Sequence, residues 1–320
     1  MGVTAPCGLF FLCHPAVAPI GLMGRATEVR TVTRIVYFDC YSGASGDMLL
    51  GALLHAGLSL DDLRADLSRL DLQGYDLTVE TQVRHGIVGS RFDVVDPAGE
   101  HPARNLGMVR SLIEASDLSD RIKARSVEVF TRLAEAEAGV HGTTVDAIHF
   151  HEVGAVDAVV DIVGFCCALD RLEIEAVYAS ALPLGSGMVK TEHGLLPVPA
   201  PATLALLAAA RAPIAPSDAR GELVTPTGAA LLSTLATFEQ PAMRVQRVGY
   251  GFGTKEFPWP NAVRVWVGEE ISACGLRPSS EGPQVHADHE HAADPHGHHH
   301  HPHPHPHPHV HEHAVGTDTV

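Results

Sequence analysis

Two periods organise the apolar and polar positions of this chain, one of strands and one of helices. Residues 34–40 (RIVYFDC) make a short β-branched and aromatic run, which predicts a buried strand. The tight SGASGD loop (42–47) follows, and MLLGALLHAGL (48–58) reads as a helix. DDLRADLSRL (61–70) places leucines at 63, 67 and 70, the spacing of one helical face. Residues 75–95 alternate instead, predicting two strands folded about His85–Gly86. Beyond the turn-rich DPAGEHPARN, residues 106–138 carry apolar positions at helical spacing and predict one long helical region. HFHEVGAVDAVVDIVGFCCALDRL (149–172) reads as a short strand feeding a strongly apolar helix. A further strand over 176–189 ends in the GSG turn, and PVPAP (197–201) precedes the helix ATLALLAAA. In ELVTPTGAALLSTLATF (222–238) a loop enters another helix, with Thr227 as its candidate cap. MRVQRVGYGFGT and NAVRVWVGEE give two last strands, with GYGFG (249–253) read as a structural turn. The result is a single mixed domain, α+β or α/β, over residues 34–270.

Both flanks differ from this core. From Ser272 the chain becomes Ser, Pro, Asp and His without apolar periodicity, so residues 271–320 are expected to be a disordered tail. Residues 1–33 read as an N-terminal extension. Its apolar stretch 5–22 has no basic residue ahead of it and is interrupted by His14, Pro15 and Pro19. It suits neither a signal peptide nor a membrane span, and initiation at Met23 or nearby accounts for it.

Composition narrows the chemistry. Hydrophobic residues make up 45% and charged residues 19%, which fits a globular protein. A formal net charge of −16 argues against nucleic acid, whose phosphates need a cationic face, and favours small cations. Of 22 histidines, 14 lie between His286 and His313. The cysteines (Cys7, Cys13, Cys40, Cys166, Cys167 and Cys274) form no CxxC pair and read as reduced thiols of a cytoplasmic protein.

Three groups of residues carry candidate function. In the tail, His298, His299, His300, His301, His303, His305, His307 and His309 are largely interleaved with prolines. Imidazole suits nickel, zinc and copper alike. Proline keeps such a segment extended, so several weak, exchangeable sites are expected rather than one cage. The second group is SGASGD, a glycine turn between strand and helix with Asp39 and Asp47 at its ends and Ser45 inside. Such turns bind phosphate, but two acids require a cation between, so a metal-bridged site and simple helix capping by Ser45 and Asp47 both remain open. The third group is HFHE with the acids behind it. His149 and His151 share a strand face, Glu152 follows, and Asp157 and Asp161 are four apart on one face of an apolar helix. A buried carboxylate costs several kcal/mol unless paired or ligated, so a metal or proton-transfer site is the economical reading. Core histidines bonded to these acids are the alternative. His193, beside Lys190 on a glycine-lined turn, and Thr225 and Thr227 at a helix start are weaker candidates for an anionic ligand.

FDCYSGASGDMLLGALL, HFHEVGAVDAVVDIVG, GLLPVPAPATLALL, GELVTPTGAA and GYGFGTKEFPWPNAVRV, in this order, resemble the LarC nickel-insertion family over about residues 34–268. The resemblance implies a CTP-dependent cyclometallase, of the lyase class. It would insert nickel into pyridinium bis-thiocarboxylic acid mononucleotide and so form the nickel-pincer nucleotide of lactate racemase. It also implies a second, C-terminal part holding CTP with a divalent cation. This chain has the histidine tail there instead, so a companion part made separately is expected and no CTP contact can be placed here. Asp157, Asp161, Asp39 and Asp47 are then candidate catalytic acids, with His149, His151 and Glu152 facing the metal and Ser45, His193 and Thr227 the substrate. Expected partners are nickel, the thiocarboxylated mononucleotide, the companion part and further copies of this chain, with neither nucleic acid nor membrane. A non-catalytic nickel chaperone or store is the main alternative. A zinc hydrolase is disfavoured, since HFHE is not the HExxH helix and GxSxG is absent.

Overall fold

The structure, a computed structural model, describes residues 33–97, 104–150, 156–191 and 193–271, with the side chain of His149 outside the description. His151, Glu152 and the whole histidine tail therefore lie outside the described residues. The apolar run at the start becomes strand β1 (Arg34–Asp39), and the glycine loop feeds helix α1 (Gly46–His55). Helix α2 (Leu60–Leu67) begins at Ser59, whose hydroxyl accepts from the Asp62 amide. Strands β2 (Asp76–Arg84) and β3 (Ile87–Val95) form the anticipated hairpin. Its turn, His85 and Gly86, has φ of 49° and 79°, the two left-handed residues that match strand twist.

The long helical region divides. Helix α3 (Leu106–Glu114) stops, and α4 (Asp120–His141) restarts after Ser119 accepts from the Ile122 amide. The SDLS segment breaks the helix because serine and aspartate offer the backbone competing partners. Helix α5 (Val156–Arg171) is buried along nearly its whole length, as a helix apolar on most of its faces must be. Arg171 at its end forks onto buried Asp66 of α2, with bonds of 2.7 and 2.8 Å. The stretch read as one strand over 176–189 is β4 (Ala176–Ala179) followed by short pairing segments, including the hairpin Met188–Thr191 with Gly194–Pro197. Helices α6 (Pro201–Ala209) and α7 (Pro226–Leu235) then precede the short strand β5 (Ala236–Thr237), β6 (Met243–Phe252) and β7 (Ala262–Glu270). Helix α7 starts two residues earlier than read, with Thr225 as its cap and Pro226 at its first position.

The main sheet has seven strands in the order β5-β4-β1-β7-β6-β3-β2. β1 runs parallel to β4 and antiparallel to β7, so the sheet is mixed and the fold is α+β. Helix α1 packs on β6, β3 and β7, α5 packs against α1 and α4, and α6 and α7 pack on α4. Among the described residues, no helix is long and apolar enough to cross a membrane. Cys40, Cys166 and Cys167 are free and buried.

GYGFG is not a turn; it is the end of β6. A Cβ on Gly251 would fall inside the Met48 carbonyl, and one on Gly249 inside the Ala52 carbonyl. The glycines are there so that α1 can lie against the strand backbone to backbone. Gly251→Ala is therefore expected to cost about 1–3 kcal/mol or more by overpacking. That is roughly 3–10 °C of melting temperature for a domain of this size. Gly139→Ala, on the exposed face of α4 with nothing within 4 Å, should instead gain about 0.5–1 kcal/mol. Thermal melts of the two variants check both signs.

Candidate functional site: an acidic cleft at three helix starts

The cleft is assembled from backbone contacts between two loops. Gly43, at φ +98°, turns the chain after β1, and a Cβ there would strike the Leu223 carbonyl. The Ala44 amide donates to Leu223 O at 2.9 Å, and the Thr225 amide donates to Ala44 O at 3.1 Å. Gly228 has no room for a side chain against Ala44 either. SGASGD and ELVTPTG are thus interlocked, which brings the starts of α1 and α7 together. From the other side Trp259 Nε1 donates to buried Ser42 Oγ (3.1 Å), which in turn bonds Asn261 Oδ1 (3.1 Å).

A cavity of about 320 Å³ opens at this junction, lined by Ser45 and Asp47 of α1, Asp157 and Asp161 of α5, Thr225, Pro226 and Thr227 of α7, Asp93 and Val94 of β3, Ala158 and Thr254. Asp161 is its deepest acid. It is only 8% exposed, and its Oδ1 is buried without a hydrogen-bond partner. Its other oxygen lies against Gly46, where a Cβ would overlap the carboxylate. Ser45 does not cap α1 with its side chain; its hydroxyl donates to Asp47 Oδ1. Thr225 accepts from the Gly228 amide at 3.3 Å and lies 3.0 Å from the Thr227 hydroxyl.

Burial sets the electrostatics. It lifts the Asp161 carboxyl well above the usual range, and the negative charges of Asp47, Asp157 and Asp93 lift it further. Burial also raises Asp47, partly offset by the Ser45 hydroxyl, the Met48 amide and the Arg91 charge. Asp157 is raised by burial too, against hydrogen bonds from the Ala158 amide and its own. Asp93 is half exposed and paired with Arg91 at 3.2 Å. Carboxyls lifted in this way hold a proton more readily than exposed ones do. They are also the hard oxygen donors that a divalent cation displaces protons from. The starts of α1, α5 and α7, with the hydroxyls of Ser45, Thr225, Thr227 and Thr254, favour an anion at the same place. The arrangement suits a ligand that carries phosphate and meets a cation. Among the described residues, no three His, Cys, Asp or Glu already converge on one metal position.

The structure therefore joins Ser45, Asp47, Asp157, Asp161 and Thr227 in one cleft. Asp39 is drawn elsewhere: Arg264 Nε and Nη2 both donate to its Oδ2, and it does not line the cavity. His193 occupies the hairpin turn before Gly194, with its ring 4.7 Å from that of His141. The backbone of His149 pairs with Asn105, while His151 and Glu152 lie outside the described residues. Thr225, offered by the sequence beside Thr227 at the same helix start, lines the cleft as well, whereas Asp93 and Thr254 were missed by sequence reasoning. Asp93 follows ordinary strand alternation after buried Phe92, and nothing in that pattern marks it as facing a cleft.

The profile of the nickel insertion protein family matches residues 36–295. The chain belongs to the nickel insertion protein family. A family relative in Desulfitobacterium hafniense, named pyridinium-3,5-bisthiocarboxylic acid mononucleotide nickel insertion protein, is 50% identical over 238 residues, 74% of this chain and 58% of its own length. Proteins of Roseiflexus castenholzii and Thermomicrobium roseum, both named for nickel insertion, are 56% and 54% identical over 236 and 240 residues. These alignments cover 74% and 75% of this chain, and 60% and 59% of the relatives. The chain thus spans about three fifths of the length of the nickel insertion proteins it matches. No solved structure matches it. Every cleft residue falls inside the family match.

Raised carboxyl pKa values have a defined consequence for stability. Between the ordinary carboxylate range near about 4 and its raised value, Asp161 binds more proton in the folded state than in the unfolded one. Its contribution is present at low pH and is lost as pH rises through the raised value. The melting temperature should fall as pH rises through that raised value, and Asp161→Asn should flatten that slope and melt no lower than wild type at the upper end. Calorimetry across the range would refute the assignment if Asp161→Asn left the slope unchanged.

Proposed function

We propose that this chain inserts nickel into pyridinium-3,5-bisthiocarboxylic acid mononucleotide, forming the nickel-pincer nucleotide used by lactate racemase. The observation that carries the reading is the buried Asp161 carboxylate, with one oxygen unpartnered, facing a cleft shared with Asp47 and Asp157. Family membership and the names of the relatives support nickel and the thiocarboxylated mononucleotide as substrates. In the reaction the two thiocarboxylate sulfurs hold Ni²⁺, a ring C–H bond breaks, a nickel–carbon bond forms, and one proton leaves. A carboxylate whose proton affinity is raised by burial is the kind of proton acceptor such a step needs. The helix starts and threonine hydroxyls are suited to the nucleotide phosphate.

The same reading divides the chain into an extension over 1–33, an insertion domain over 34–270 and a metal-gathering tail over 271–320. His149, His151 and Glu152 face the incoming metal, one chain segment ahead of Asp157. CTP with its divalent cation is assigned to a companion part, which makes this chain one portion of a CTP-dependent lyase that works as a homo-oligomer in the cytoplasm. With the companion part supplied, Asp161→Asn and Gly46→Ala should each lower the insertion rate by about 10²-fold or more while the fold persists. A His149→Ala/His151→Ala protein should also fail. Wild-type turnover in Asp161→Asn would remove that residue as the base, and wild-type turnover in the double histidine variant would remove those ligands.

The 14 histidines of the tail favour a second reading, a nickel store without catalysis. Deleting residues 286–313 separates the two. A store would lose nickel capacity and phenotype together, whereas an insertase keeps its turnover when nickel is abundant.

A further inference from the structure

Another group of metal-ligating side chains lies at the C-terminal end of α4, none of them among the residues that line the acidic cleft. Glu137 and His141 are four apart, so they share one face of the last helical turn. Glu137 Oε2 is 3.5 Å from His141 Nε2, longer than an ordinary N–H···O bond. Two donors bound to one ion at about 2.1 Å and a tetrahedral angle are about 3.4 Å apart, so this pair already has ligand spacing. The His193 ring centre is 4.7 Å from that of His141, with the planes tilted by 51°. Two imidazoles bound in adjacent positions on one ion hold their centres about 4.5–5.2 Å apart. His193 is placed by its turn: its amide donates to Thr191 Oγ1 (3.1 Å), and that hydroxyl donates to Gly194 O (3.1 Å).

The backbone adds its own bias. Gly142, left-handed at φ 63°, ends α4 immediately after His141. The last carbonyls of a helix carry partial negative charge and favour a cation. Two imidazoles and one carboxylate form a borderline donor set, suited to nickel or zinc and poorly suited to magnesium or calcium.

We infer that Glu137, His141 and His193 form a second nickel-binding site, separate from the acidic cleft. His193 sits on an exposed hairpin turn; the three side chains do not yet converge on one ion position, so nickel binding includes a rotation of the His193 side chain. Only the identity of the ion is taken from the proposed function.

The test uses the full chain and needs neither substrate nor turnover. Histidines are modified with diethyl pyrocarbonate, and the rates at His141 and His193 are read by peptide mass spectrometry. Nickel chloride is titrated past saturation of the tail, with magnesium chloride as the control. Nickel should slow modification of both residues together by about fivefold or more, and magnesium should not. His193→Ala, on an exposed turn, should abolish the protection of His141, and Glu137→Gln should raise the nickel needed about tenfold. Unchanged rates at saturating nickel, equal protection by magnesium, or persistent protection of His141 in His193→Ala would each overturn the site. Protection that stands while the insertion assay fails would refute the proposed function and leave this site in place.

Discussion

Helix α1 crosses β6 where Gly249 and Gly251 leave the strand bare, and its carbonyls occupy the space two Cβ atoms would take. Gly51, on the helix itself, faces the Ser90 carbonyl and Gly251. This backbone-to-backbone contact fixes the depth of α1 in the fold. It therefore fixes where the first turn of the helix begins, and with it Ser45, Gly46 and Asp47. Asp161 reaches the same point from α5 only because Gly46 has no side chain. A set of glycines spread over some 200 residues of sequence thus acts as a single spacer, and the cleft is what it leaves open.

The cleft works against the fold that holds it. Three carboxyls raised by burial, Asp161 also by the negative charges of Asp47, Asp157 and Asp93, are placed where an apolar layer would pack more stably. The helix starts supply some compensation, since amides of the first turn favour negative charge. Arg91 supplies a little more through Asp47 and Asp93. Among the described residues, Asp161 has neither a hydrogen bond at Oδ1 nor a cationic partner. A buried carboxylate left in that condition beside a cavity is characteristic of sites kept for binding or catalysis.

Legibility in the sequence follows the range of the interaction. The strand–loop–helix at SGASGD, the β2–β3 hairpin and the apolar α5 were readable because each depends on local periodicity or turn chemistry. The pairing of Asp157 with Asp161 on one helical face was readable for the same reason. What could not be read depended on distant partners. Asp39 looked equivalent to Asp47 until Arg264, 225 residues away, took its carboxylate. GYGFG looked like a turn because glycine spacing alone cannot distinguish a bend from a bare strand under a helix. Thr225 and Thr227 are both plausible caps, and Pro226 between them, best placed at a first helical position, decided for the earlier one. His141 passed unnoticed as the last polar residue of an amphipathic helix, since its neighbour His193 lies 52 positions on.

The unpartnered oxygen of Asp161 also bears on how long the protein lasts. A cation bound at such an acid would stabilise the folded chain in proportion to its occupancy, and unfolded copies are the ones proteases remove. Copies that never meet metal would then be cleared faster than loaded ones. The abundance of the protein would follow metal supply without any separate sensor, because occupancy of that one acid would set the lifetime.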